Sequence, residues 1–282
     1  MLHLYRKAVI AVLSFAFSSM AVCEDHKAYN FSPVNQYNLN LSASFWNPII
    51  KYVSEKSGVN LTLKLGRTSA DTTSYVLTQE VDFAFTNHLF SPDRAKMNWT
   101  VFGRRDAPAI EGQIVVPANS PIHDLSELDG KEMVYPGPEA FIAYKVTSSE
   151  LAKRDLKTTT VFAGNMDGAF SQLLSGKVQA MGVNSQLLSG YSEREGKSFR
   201  VLWRSSPFND LALMASPRVS EQERDAVAKA FFGMQQDEAG SKILRDATEL
   251  VHAAAPITFI PATEADYASY RDFYNSLPEY RK

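Results

Sequence analysis

The chain has 282 residues, a formal charge of −2 and a single cysteine, Cys23. One cysteine leaves no internal disulfide, no cysteine-based metal site and no thiol nucleophile once a leader is removed, so the fold must rest on a large apolar core in one large or two medium domains. No basic block occurs anywhere, which excludes nucleic acid as an expected partner.

The first 23 residues have the layout of a cleaved export signal. Arg6 and Lys7 precede an apolar stretch from Ala8 to Phe17, small and polar residues follow, and charge begins at Glu24. That apolar stretch is too short to span a bilayer and suits removal after export. Ala21-Val22-Cys23 and Ser19-Met20-Ala21 both offer small-x-small cleavage patterns. A lipid anchor on Cys23 is disfavoured by bulky Val22, so a periplasmic chain released by simple cleavage is expected.

Residues 24–36 read as a loose polar leader and Tyr37 to Leu41 as a strand. Phe45 to Ser57 carries Trp46, Ile49, Ile50 and Val53 at helical spacing, with Pro48 in its first turn and Gly58 as its stop. Strands are expected over Val59–Leu65 and Val81–Phe85, with a Thr- and Ser-rich helix over Ser69–Thr78 between them. Val101-Phe102 and Gly112–Val116 read as strands, and the turn-rich Pro117-Ala118-Asn119-Ser120-Pro121 marks a first crossing to a second lobe. A short helix at Asp124–Lys131, strand Glu132–Tyr135, helix Glu139–Asp155, strand Thr158–Phe162, helix Asp167–Ser175 and strand Val178–Val183 follow. Val201–Arg204 and Leu211–Ala215 read as strands returning to the first lobe. Ser220-Glu221-Gln222-Glu223 is a capping box opening a helix with Val227, Ala230, Phe231 and Met234 on one face. Helices over Asp237–Ala247 and Asp266–Leu277 complete the chain. The stripe Tyr267, Tyr270, Phe273, Tyr274 in the last reads as core packing.

One stretch occurs twice. Leu77-Thr78-Gln79-Glu80-Val81-Asp82-Phe83-Ala84-Phe85-Thr86-Asn87 is echoed by Leu174-Ser175-Gly176-Lys177-Val178-Gln179-Ala180-Met181-Gly182-Val183-Asn184. Each copy is a helix end, a tight turn, a short apolar strand and an Asn where the strand stops. Two similar α/β halves predict a two-lobed protein, each lobe a mixed sheet flanked by helices, with a ligand cleft between strand ends. The expected division is 24–116 plus 210–282 for the first lobe and 117–209 for the second, with hinges near Val115–Ala118 and Asn209–Ala212.

Several segments carry a resemblance over nearly the whole mature chain. They are Phe45-Trp46-Asn47-Pro48-Ile49-Ile50-Lys51-Tyr52 with Ser57-Gly58-Val59, Glu80-Val81-Asp82-Phe83-Ala84, and His123-Asp124-Leu125-Ser126-Glu127-Leu128-Asp129-Gly130-Lys131. Gly176-Lys177-Val178-Gln179-Ala180, Trp203-Arg204-Ser205-Ser206-Pro207 and Asp266-Tyr267 complete the set. In order and spacing the chain resembles the phosphonate/phosphite/phosphate-binding group of solute-binding proteins that serve ABC transporters. The resemblance implies a type II periplasmic-binding fold, a small-molecule solute bound between the lobes, a membrane permease as partner and a monomer. It implies no cofactor, and nothing calls for a metal.

The departures bear on the ligand. Members of that group hold the phosphonate with a Ser-Thr-Ser cluster at a helix start in the second lobe. The corresponding turn here is Pro136-Gly137-Pro138-Glu139-Ala140-Phe141, without hydroxyls and with a carboxylate. A family histidine is replaced by Asn165, a family tyrosine by Thr86, and a family Asp is kept as Asp210. Glu139 would repel a dianion, so a neutral, cationic or zwitterionic solute stands beside the phosphonate-like oxyanion.

Candidate ligand contacts follow from position. Ser44 and Trp46 sit at the expected start of the first helix, with Phe45. Thr68 and Ser69 open the Thr-rich helix after Arg67. Asn87 and Asn184 end equivalent strands, as amide contacts or as turn caps. Thr86, His88, Phe141 and Asn165 lie in the neighbouring turns. Glu139 and Asp210 could meet a cationic group or pair with a local Arg. Rival readings are an extracytoplasmic sensor, an exported enzyme and a structural export protein. No G-x-S-x-G or H-E-x-x-H occurs and His123 and His252 are isolated, so no catalytic residue is expected.

Overall fold

The computed structural model describes residues 27–280; the stretch expected to be an export signal, with Cys23, lies outside them. Among these residues eleven strands form two mixed sheets. The first is ordered β2 (Leu61–Leu63), β1 (Tyr29–Pro33), β3 (Phe83–Thr86), β10 (Ala212–Ala215), β4 (Thr100–Arg105), β11 (Phe259–Pro261). The second is ordered β7 (Thr159–Phe162), β6 (Glu132–Tyr135), β8 (Ala180–Asn184), β5 (Ile110–Pro117), β9 (Phe199–Phe208).

The two sheets share one plan. In the first, β3 lies parallel to β1 and antiparallel to β10, and β1 is flanked by parallel β2. In the second, β8 lies parallel to β6 and antiparallel to β5, and β6 is flanked by parallel β7. The sequence echo falls on the equivalent strands β3 and β8. Helices α2 (Ser69–Leu77) and α5 (Met166–Leu174) precede them, capped by Thr68 and Asn165. The turn between helix and strand needs a left-handed residue in both copies: Gln79 has φ 57° and Gly176 φ 72°.

Helix α1 (Leu39–Ser57) packs across the first sheet with α7 (Glu221–Gly233) and α8 (Glu238–Leu250). Asn38 caps its start by accepting from Leu41 N–H, and Gly58 ends it at φ 71°. Its inward stripe holds Phe45, Trp46, Ile49, Ile50 and Val53. Trp46 sits among Phe31, Phe45, Phe85 and Phe259, with centroids 5.1–6.4 Å away. The capping box at Ser220 and Glu223 forms as the sequence predicts. In the second lobe a π-helical segment, Phe141–Val146, runs directly into α4 (Thr147–Lys153), and α6 (Ser185–Glu195) follows β8. The chain ends in α9 (Ala268–Ser276) and a short 3₁₀ turn. No helix among the described residues is long and apolar enough to cross a membrane.

Some expectations are corrected. The segment read as a loose leader contains β1, whose Tyr29 and Phe31 alternate inward. No strand forms over Tyr37–Leu41, because Asn38 caps a helix there. Pro48 therefore lies inside α1 rather than in its first turn, removing one backbone bond at the Ser44 carbonyl. The first crossing lies earlier than 116/117. All of β5 pairs within the second sheet, so the chain leaves the first sheet between Arg105 and Ile110. β9 stays in the second sheet as its edge, and only β10 returns. The helix α3 (Pro92–Ala95), α6 and β11 form where the sequence reading placed no element.

Candidate functional site

The strand ends of both sheets meet at a cavity of about 60 Å³ between the lobes. At roughly 10–15 Å³ per water-sized atom it has room for about four to six non-hydrogen atoms. From the first lobe it is lined by Asn35, Gln36, Ser69, Asn87, His88 and Asp210, with Leu211. From the second come Pro136, Ala140 to Ala143, Met166, Asn184 and Leu187. No Lys or Arg is among the lining residues.

Direct contacts hold the lobes together around it. Arg94, in α3, donates two parallel bonds to Glu139, Nη1–Oε2 at 2.7 Å and Nη2–Oε1 at 3.0 Å. Lys145 approaches the same carboxylate at 3.2 Å. Ser69 N–H donates to Gly164 O at 2.9 Å. The backbone N–H and Nδ2 of Asn38 donate to Asp167 Oδ2 at 2.9 and 3.0 Å. Gly137 lies against Ser69 so closely that a Cβ there would come within 2.8 Å of its side chain. Only glycine permits this approach between the loops.

The floor of the cavity is a buried ion pair. Arg105, from the last position of β4, donates Nε to Asp210 Oδ2 at 2.5 Å, and the two side chains are 3% and 1% exposed. Arg105 Nη2 reaches Gln36 Oε1 at 3.3 Å and, across the cleft, Gln186 Oε1 at 3.1 Å. Nε and Nη2 of Arg105 are therefore engaged on the protein. The other oxygen of Asp210, Oδ1, is buried and has no hydrogen-bond partner. Asn35 Oδ1 is also buried without a partner, while its Nδ2 donates to Gly66 O at 2.7 Å.

His88 is buried, and burial pushes its pKa down to about 4, against the pull of Glu139. It is neutral at neutral pH. Its Nδ1 lies 3.0 Å from Thr73 Oγ1, and that hydroxyl already donates to Ser69 O at 2.9 Å. Which ring nitrogen carries the proton depends on the tautomer: with the hydroxyl committed to Ser69 O, Nδ1 is the donor and Nε2 the acceptor. Glu139 behaves in the opposite sense to a free carboxylate. Burial would raise its pKa, but Arg94 and Lys145 overcome that and hold it at about 2.

The expected site residues separate into groups. Ser69, Asn87, His88, Phe141, Asn184 and Asp210 line the cavity. Thr86 stands behind them, fully buried, with Oγ1 accepting from His88 N–H. Thr68 and Asn165 cap α2 and α5, and Asn184 caps α6 by accepting from Leu187 N–H at 2.7 Å while also lining the cavity. Glu139 is spent on Arg94 and Lys145 and is not a lining residue. Ser44 is exposed on α1, and Trp46 belongs to the core of the first lobe; neither reaches the cavity, because α1 begins six residues before the point expected, at Leu39 rather than Phe45. The Phe141 ring stacks on Tyr270 (4.3 Å, 29°) and meets Phe208, Phe273 and Tyr274, tying the start of the second-lobe helix to α9.

Asn35, Gln36 and Arg105 were not foreseen. Recognition of β1 would have placed Asn35 and Gln36 in the loop after a parallel strand, where such sheets bind ligands. Arg105 ends a strand whose length the sequence pattern did not reveal. Among the described residues no group of three or more His, Cys, Asp or Glu is placed to hold a metal ion.

Two pseudo-equivalent mixed sheets, two chain crossings and a cavity lined from both lobes at facing strand ends define a type II periplasmic-binding architecture. The family model for the periplasmic substrate-binding protein of phosphonate ABC transporters matches residues 31–267, and the chain belongs to that family. Solved structures agree in fold. A binding-protein component of an ABC phosphonate transporter from Pseudomonas aeruginosa superposes with a TM-score of 0.74 at 15% identity, over 88% of this chain and 86% of that one. PhnD1 from Prochlorococcus marinus, in complex with methylphosphonate, gives 0.73 at 15% identity, over 88% and 97%. A Xanthomonas citri protein bound to ATP gives 0.67 at 11% identity, over 90% and 99%. No curated protein sequence matches the chain.

Proposed function

We propose that the chain captures a small polar solute in the cavity between its lobes, as a monomer freed from a cleaved export signal, and delivers it to a membrane permease without chemical turnover. The observation that carries this reading is a cavity lined from both lobes at the ends of the equivalent strands β3 and β8. A solute there touches Asn87, His88 and Asp210 on one side and Asn184 and the 140–143 turn on the other. Its binding energy is then available to hold the lobes together. The bonds from Arg94 to Glu139 and from Asn38 to Asp167 close the same gap. The permease would read the closed form.

The test is calorimetry of the signal-free chain against a panel of phosphorus oxyanions, amino acids, amines and short organic acids. Saturable one-to-one binding that is weakened at least tenfold by Asn87→Ala or Asn184→Ala is expected. Binding that neither substitution changes would place the solute elsewhere.

A further inference from the structure

Helix α1 begins without the acid that completes the caps of α2 and α7. In those two the third residue is Asp71 or Glu223, and its carboxylate accepts from the backbone N–H of the capping residue, Thr68 or Ser220. The third residue of α1 is Leu41, and its first turn holds no acid. The missing acceptor comes from the other lobe. Asp167, in α5, takes the backbone N–H of Asn38 at 2.9 Å and its Nδ2 at 3.0 Å, while the side-chain oxygen of Asn38 accepts from Leu41 N–H. The result is a capping box closed across the cleft.

The same loop serves α2, whose first N–H, on Ser69, donates to Gly164 O at 2.9 Å. Gly164 holds φ 89°, a conformation that favours glycine. The loop is anchored in its own lobe. Asn165 caps α5 by accepting from Gly168 N–H at 2.8 Å, and Arg194 of α6 donates to the other oxygen of Asp167 at 2.7 Å. Of its four residues only Met166 lines the cavity.

Its place in the topology makes the contact sensitive to closure. The chain crosses between sheets from β4 to β5 and from β9 to β10. The strand leading into the loop, β7, lies three strand spacings from β5, and β2, which leads to α2, lies three from β10. At ~4.8 Å per spacing that is about 14 Å. A turn of ~15° about the crossings shifts the loop by about 4 Å, more than a hydrogen bond can stretch.

We infer that the loop Gly164–Asp167 is a removable cap for α1 and α2: closing the lobes completes the first turn of both helices, and opening strips it. The inference rests on the lobe closure of the receptor reading and adds its readout. The start of α1, which carries Leu39 at 43% exposure, is held in the closed form and frays in the open one.

The test is amide hydrogen exchange of the signal-free chain, comparing the parent with Glu139→Gln, Asp167→Ala and Asp167→Asn, with folding checked by melting. Glu139 bonds to Arg94 and Lys145 and to neither helix start, so its substitution reads opening of the cleft and not loss of a cap. Exchange over residues 38–42 and 69–73 should quicken at least fivefold in Glu139→Gln, while residues 54–58, at the far end of α1, stay within twofold of the parent. Asp167→Ala should quicken residues 38–42 by a similar factor, and Asp167→Asn, which keeps an acceptor, should restore most of the protection. Unchanged exchange over residues 38–42 in either Glu139→Gln or Asp167→Ala would overturn the inference, as would equal quickening along all of α1. The receptor reading is decided separately, by saturable solute binding in calorimetry, and survives either result.

Discussion

Arg94 and Glu139 stand on opposite lobes and are joined by two parallel N–H···O bonds of 2.7 and 3.0 Å. Glu139 occupies the turn where the family resemblance implies ligand-binding hydroxyls, and here it joins the two lobes. Both side chains are about one-fifth exposed, so the pair is only partly screened and its fork geometry is worth more than a surface ion pair.

Glu139→Gln should therefore loosen the cleft without disturbing either core. The expected cost to the closed form is on the order of 1–3 kcal/mol. In solution X-ray scattering the variant should show a larger radius of gyration than the parent in the absence of solute. An identical scattering curve would show that the clasp does not hold the lobes.

Acid should weaken the protein through two groups at this junction. His88 falls from its ordinary 6.5 to about 4, with burial as the main cause. Its folded value lies below its unfolded one, so stability is full above pH 6.5 and declines as pH falls toward 4, by roughly 3 kcal/mol if no other group intervenes. Glu139, held at about 2, contributes stability above its ordinary 4.5 that is lost as pH falls through 4.5 toward 2. The charges facing His88 are Glu139, Arg94 and Lys145. Melting temperatures from pH 7 to pH 4 should fall less steeply for His88→Gln than for the parent. Parallel curves would show that His88 protonates freely in the folded chain.

Arg105 and Asp210 form the most deeply buried ion pair in the cleft. Arg105→Ala leaves a buried carboxylate alone, and a loss of about 3–5 kcal/mol in urea denaturation is expected. The pair Arg105→Met with Asp210→Leu should cost less than the two single changes together, because neither charge is then stranded. Additive losses would mean that the two residues stabilise the fold independently.

Gly182 in β8 is the echo position of Phe85 in β3. In the second lobe the π-helical segment comes so close that a Cβ on Gly182 would strike the Ala143 carbonyl oxygen, and would lie within 2.7 Å of Thr147 Oγ1. Gly182→Ala should cost at least about 1–3 kcal/mol, read as a lower melting temperature. An unchanged melting temperature would show that the helix can move away freely.

The sequence was most readable where local signals agree with packing. The echo around Val81 and Val178 located β3 and β8, their preceding helices and the tight turns between them. Ser220 and Glu223 marked a helix start by chemistry alone. Six of the candidate residues do line the cavity, because strand ends in open α/β sheets converge on one face. Where reading failed, the cause was competition. Tyr29-Asn30-Phe31-Ser32 alternates as a strand should, but its polar neighbours resemble a leader. Pro48 suggested a first turn, yet the cap at Asn38 and the packing of Phe45 and Trp46 carry the helix through it. Glu139 looked like a ligand group, and its partner Arg94, 45 positions upstream, can be recognised only in three dimensions.

The central claim is that solute binding closes two lobes over the cavity. Cys23 is the only cysteine, so a signal-free chain carrying Lys51→Cys in α1 and Lys177→Cys beyond α5, both exposed positions on different lobes, can be spin-labelled cleanly. The distance distribution between these labels should shift and narrow when the solute identified by calorimetry is added, and broaden in Glu139→Gln. A distribution unchanged by saturating solute would contradict a closing receptor.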